Sequence, residues 1–143
     1  MNAQPFDIQP VIERLRAGMP ELRLVGGAAD YAAITGLRDF VPPCAYVLIA
    51  QERGEPNGAN GRQRALVTFG VVLAVRNHSG ARGAADDLRP LLGKLRETLM
   101  AWIPGRPGAR AVQWLQGDVL DYDAGTLLWS DVYQTQYFIG RVP

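Results

Sequence analysis

The 143-residue chain has one cysteine, one histidine and one lysine, and it lacks the run of about 18 apolar residues that a membrane-spanning helix needs. Cys44 alone cannot close an intrachain disulfide, so a core of ordinary size has to hold the single domain, and a reducing compartment suits it. The first residues, MNAQPFDIQP, carry neither the basic region nor the apolar stretch of a signal peptide, which points to a soluble intracellular protein. A net charge of +1 gives no electrostatic drive toward nucleic acid or an anionic membrane as main partner. The basic residues, arginine in every case but Lys94, are dispersed from Arg14 to Arg141. Their planar guanidinium suits protein interfaces, so an interaction role stays open.

Chemistry-bearing groupings are equally scarce. His78 sits in the turn-like RNHSGARG, and the neighbouring Ser79 does not make a nucleophile and base pair with it. Cys44 leads into an apolar run and reads as a small core residue rather than a reactive thiolate. Gly26-Gly27 and Gly80 with Gly83 match neither a phosphate-binding loop nor a dinucleotide fingerprint. Asp118, Asp121, Asp123 and Asp131 form the one carboxylate cluster, but the twelve-residue loop and closing glutamate of an EF-hand are missing. Asp123-Ala124-Gly125 is explained more simply as a hairpin turn that needs positive φ at Gly125. Trp102, Trp114 and Trp129 lie on helix or strand patterns and read as core or interface anchors. No catalytic residue, cofactor or metal is therefore assigned.

What is present is periodicity. Ile8, Val11, Ile12 and Leu15 predict a helix over residues 6–17, with Asp7 at its start and Gly18 and Pro20 at its end. A short strand follows in ELRLVGG, and AADYAAITGL is ambiguous between a helical turn and irregular structure. AYVLIAQ, residues 45–51, reads as a central strand, RGEPNGANGRQ, residues 53–63, as a mobile polar loop, and RALVTFGVVLAVRN as the return strand of a hairpin. Leu88, Leu91, Leu92, Leu95, Leu99 and Trp102 mark one face of a second helix over residues 83–102, with Arg89 and Arg96 exposed. Pro90 is tolerable there only if the helix starts late or bends. Residues 112–141 close the chain as two strands around the Asp-Ala-Gly turn, the second alternating so that large side chains occupy both its faces. The fold class is α+β, a mostly antiparallel sheet of four to five strands packed against two amphipathic helices.

These segments in this order, VGGAADYAA, PPCAYVLIAQE with its polar loop, RALVTFGVVLAVRN, DDLRPLLGKLRETLMAWIP and YDAGTLLWSDVYQTQYFIGR, resemble the tail terminator (tail completion, minor tail protein U-like) family of long-tailed bacteriophages and Mu-like prophages. The resemblance covers most of the chain. It implies a non-enzymatic virion protein, assembled in the bacterial host cytoplasm, whose copies form a homo-oligomeric ring, typically a hexamer, on the head-proximal end of the tail tube. Such a ring ends tube polymerisation and presents a surface to the head-completion protein, so the implied partners are further copies of the chain, the tail tube protein and the head-completion protein. A heterologous ring needs two different patches on each subunit. The residue patterns suggest Arg53, Glu55, Arg62 and Arg64 at the polar loop and Trp129, Asp131 and Tyr133 on the last strand. The competing reading is a small metal-dependent hydrolase or ligand-binding domain built on Asp118 to Asp131. The two separate in a thermal-shift titration with divalent cations: a structural subunit shows no metal effect, whereas the competing reading requires a stabilisation that Asp121→Asn or Asp123→Asn abolishes.

Overall fold

The computed structural model describes residues 3–56, 61–77, 81–106, 108–123 and 125–140. His78, Ser79 and Gly80, the tip of the expected loop from Asn57 to Asn60, Ala124 and Arg141 lie outside the described residues. The elements run α1 (Gln9–Gly18), β1 (Leu24–Gly26), α2 (Ala28–Ala32), a 3-10 turn (Leu37–Asp39), β2 (Cys44–Gly54), β3 (Arg62–Arg76), α3 (Ala81–Leu99), β4 (Gln113–Asp123) and β5 (Thr126–Gly140). The five strands form one sheet in the order β1-β2-β3-β5-β4, antiparallel at every neighbouring pair except β1 with β2. This is the expected α+β architecture, with α2 as a third, short helix in the stretch that the sequence left ambiguous.

The helices form where periodicity placed them. In α1, Val11, Ile12 and Leu15 are buried, Pro10 sits in the first turn where its missing N–H costs nothing, and Asp7 Oδ1 accepts the Gln9 N–H at 2.9 Å. In α3, Leu88, Leu92, Leu95 and Leu99 are buried, with Leu91 and Trp102 packed beside them. That helix begins at Ala81, so Pro90 is an interior residue rather than part of a late start; it stands on the exposed face, where solvent can reach the carbonyl its ring leaves without a helix donor.

Both helices cover one face of the sheet. Ala45 and Val47 of β2, alternate residues Ala65 to Val75 of β3, and Leu127, Tyr133 and Tyr137 of β5 meet them in the main core. Phe6 stacks on Phe69 at a centroid distance of 6.1 Å, and Phe69 on Tyr133 at 5.6 Å. The opposite face is covered only at one end, where Phe40, Cys44, Tyr46, Val72, Ala74 and Leu128 form a second cluster under Tyr31, Ile34 and Leu37. Cys44 is thus a buried core residue, and burial pushes its thiol pKa up.

The β2–β3 hairpin is longer than the sequence suggested. Pairing continues past Gln51, through a bulge at Ile49/Gln51, to Arg53 opposite Leu66 and Gly54 opposite Ala65. A polar strand end can hold its place when its hydrogen-bonded partner is anchored in the core, and Val67 and Ala65 are. Arg53 and Arg62 are consequently strand residues, not loop residues, and Arg64 lies on β3 as expected. The other expected turn is present, with Gly125 at φ 83° after Asp123. Because Phe69 links the N-terminal segment to β5, Phe69→Ala should cost about 4 kcal/mol. The expected reading is a fall of roughly 10 °C in the unfolding midpoint.

Candidate interaction surface

Three features of the sheet stand out: a polar knot on its helix-covered face, an arginine-rich end on its open face, and a long exposed edge.

The knot centres on Asp131. Alternation along β5 turns this carboxylate toward α3, where it is completely buried. Arg96 donates from Nε to Oδ2 at 3.0 Å and from Nη2 to Oδ1 at 2.9 Å. Indole N–H groups of Trp114 and Trp129 reach Oδ1 at 3.0 and 3.1 Å, and the Tyr133 hydroxyl donates to Oδ2 at 2.6 Å. Arg96 also lies over the Trp114 ring, 4.6 Å from its centroid. Gly117 of β4 makes room for this arrangement, since a Cβ there would stand 2.5 Å from Trp129 Cζ2 and 3.0 Å from Asp131 Oδ1. Burial works against the charged form of Asp131, but the hydrogen bonds from Arg96, Tyr133, Trp114 and Trp129 outweigh it and hold its carboxyl below the usual carboxylate range. Burial, followed by the adjoining carboxylate, pushes the Tyr133 hydroxyl well above the ordinary phenol value.

This geometry corrects two expectations. Asp131 and Tyr133 were expected at a contact surface, yet both are wholly enclosed by the chain itself, and Trp129 is half-buried against the core. Alternation establishes that a strand has two faces but not which of them a helix will cover. Nor do the four aspartates converge. Asp118 stands opposite Ser130 and Asp121 opposite Leu128, on the other side of the sheet from Asp131. Among the described residues, no three histidine, cysteine or carboxylate side chains come together as metal ligands.

On the open face, at the far end of the sheet, Arg62 and Arg64 both lie over the ring of Phe138, at 4.4 and 4.6 Å from its centroid. Arg64 donates to Gln136 Oε1 at 3.0 Å and faces Glu55 across a loose ion pair of 3.8 Å. Arg53, level with Leu66 on the same face, is exposed and has no partner among the described residues. Four of the expected contact residues, Arg53, Glu55, Arg62 and Arg64, are therefore gathered at one end of the sheet. Glu52 turns to the opposite face, where its Oε1 accepts the Tyr137 hydroxyl and the Phe6 N–H. The same open face carries Asp118, Asp121 and Asp123 near its other end. Asp121 and Asp123 border a cleft of about 720 Å³ shared with Arg38 and Arg76. Arg76 is engaged there by Thr126 Oγ1 at 2.8 Å and the Leu37 carbonyl at 2.9 Å.

The edge is β4. It is exposed along nearly its whole length and presents Trp114, Leu115, Val119, Leu120 and Tyr122 to solvent. Arg96, expected to be exposed, is half-buried and bound to Asp131, and sequence reading missed Gly117, Phe138 and Glu52. Arg96 was legible in part, since it falls three residues before Leu99 and four after Leu92 and so flanks the apolar stripe; the others depend on cross-strand register.

A protein-family profile described as "Phage tail terminator protein" matches residues 1–143. Among solved structures, a chain in "Virion of native gene transfer agent (GTA) particle" superposes with a TM-score of 0.58 at 14% identity, over 92% of each chain. At that identity the likeness is one of fold. A comparison with curated proteins finds no match.

Asp131→Asn keeps the shape of the knot but leaves Arg96 without its counter-charge. The expected loss is about 3 kcal/mol, the lower part of the range for a broken buried pair, because the Arg96 side chain is 31% exposed. With the folded pKa of Asp131 below the unfolded one, its contribution is complete above the unfolded value of about 3.9 and disappears as pH falls through the folded value. Denaturant unfolding at neutral pH and in acid should therefore show the gap between the parent and the variant closing in acid.

Proposed function

The chain belongs to the phage tail terminator protein family, and from that premise we propose that its copies form a homo-oligomeric ring, six-fold in the simplest case, on the head-proximal end of a tail tube. The ring ends tube polymerisation and offers its other surface to a head-completion protein. It is assembled in the bacterial host cytoplasm and acts without catalysis or a cofactor. The coarser statement, a structural tail protein of a phage or phage-like particle, follows from the family itself.

The observation that carries the finer reading is the uncovered sheet face with its arginine end. Arg62 and Arg64 lie over the half-buried ring of Phe138, with Glu55 beside Arg64 and Arg53 level with Leu66 on the same face, and an aromatic ring carrying two guanidiniums is a surface suited to a protein partner. Near-neutral net charge fits contact with protein rather than nucleic acid. Asp131 and Tyr133 serve this surface indirectly by fixing β5, while Trp129 is partly open beside β4.

The test is assembly with Arg62→Glu together with Arg64→Glu. Tubes viewed by negative-stain microscopy should lose their defined length and their junction with the head, although the isolated variant folds normally. Capped tubes of normal length made with that variant would remove the arginine end from the contact surface.

A further inference from the structure

We infer that neighbouring copies join head to tail by strand addition, the β4 edge of one copy pairing antiparallel with the outer edge of residues 47–54 of β2 in the next. This rests on the ring reading and specifies which backbone edges close it.

The sheet has two unequal open edges. On one side β4 is the last strand, eleven residues long. On the other, β1 covers only Cys44, Ala45 and Tyr46 of β2, and no strand among the described residues lies beside residues 47–54. Exposed edges invite pairing with another chain, and monomeric proteins blunt them with charged side chains, lysine above all, with proline, with bulges or with very short strands. Neither stretch contains lysine or proline. Bulges at Trp114/Gln116 and Val119/Asp121 bend β4, but they leave Leu115 and Leu120 exposed, and Val119 is 58% accessible. Across the gap, Ile49 is 41% accessible.

Direction and charge agree with this pairing. β2 and β5 run one way, and β3 and β4 the other, so two copies related by rotation about an axis along the strands bring β4 against β2 antiparallel. β4 contributes Asp118, Asp121 and Asp123 and no basic residue. The β2 edge contributes Arg53, unpartnered among the described residues, while Glu52 is turned to the other face and held by Tyr137. β1 forms a step beside Cys44–Tyr46, so a strand laid along residues 47–54 has to shift toward Gly54. Among the registers that clear this step, the one setting Asp118 alongside Arg53 pairs their charges, and a stagger of this kind is what closing a sheet on itself requires. Because the two edges differ, the contact is heterologous and propagates to a ring rather than stopping at a twofold dimer.

The experiment uses the full chain with two edge-blocked variants, Val119→Lys with Leu120→Lys on β4, and Ile49→Glu with Arg53→Glu on β2. Circular dichroism confirms that each is folded, and light scattering gives the mass. The wild type should form a ring, each variant alone should be a monomer, and an equimolar mixture should give a 1:1 dimer, since one intact edge of each kind remains. A ring that persists in both variants overturns the edge assignment while leaving the ring reading intact. Loss of assembly in the β4 variant alone overturns head-to-tail pairing in favour of β4 pairing with itself. Folded variants that are monomers alone and also when mixed overturn the pairing of these two edges. A wild type that stays monomeric at all concentrations, with tail tubes present as well as absent, removes the ring reading, and this inference with it.

Discussion

A single buried carboxylate ties the sheet to its main helix. Asp131 binds Arg96 of α3, Trp114 of β4, and Trp129 and Tyr133 of its own strand, so one side chain fixes the helix position, the placement of the last edge strand and the orientation of two indoles. An uncompensated charge in that place would cost several kcal/mol, which makes the arrangement all-or-none. Each donor holds its geometry because the carboxylate is ionised, and the carboxylate is ionised because the donors are there. Gly117 is the steric half of the same constraint.

This anchoring matters because β4 has little else to hold it. Its side chains are exposed along almost its whole length, and beyond its pairing with β5 it is held by α3, where Arg96 lies over the Trp114 ring. An edge strand fixed at Trp114 can present apolar and acidic side chains outward in a defined geometry, where an unanchored one would fray. The arginine end of the open face is arranged in a comparable way: Phe138 gives Arg62 and Arg64 a common platform, and the Gln136 side chain holds Arg64. A ring-forming protein needs distinct, pre-ordered patches on its surface, and the register keeps these two apart, since β4 pairs with β5 only from Gln134 to Thr126 and stops short of Phe138.

The likeness to the tail terminator family was visible in segment order and turn placement, and the match of the family profile over the whole chain agrees with it. Interface residues were harder. Arg53 and Arg62 were placed on a loop, since polar composition alone does not reveal that a strand continues when its partner is buried. Asp131 and Tyr133 were taken for surface because nothing local marks which face of a two-sided strand a distant helix will cover.

The sequence by itself determined the elements: hydrophobic repeats at the helical period set α1 and α3, alternation and turn residues set the long strands, and Gly125 marked the closing hairpin. These are short-range properties, decided by which residues lie one or two turns apart. Only the tertiary structure decided that Arg96 meets Asp131 across 35 residues of chain, that the aspartates divide between the two faces, and that β1 is too short to close its edge of the sheet. Register, helix placement and strand order depend on long-range packing, and a shift of one residue exchanges every inward side chain for an outward one.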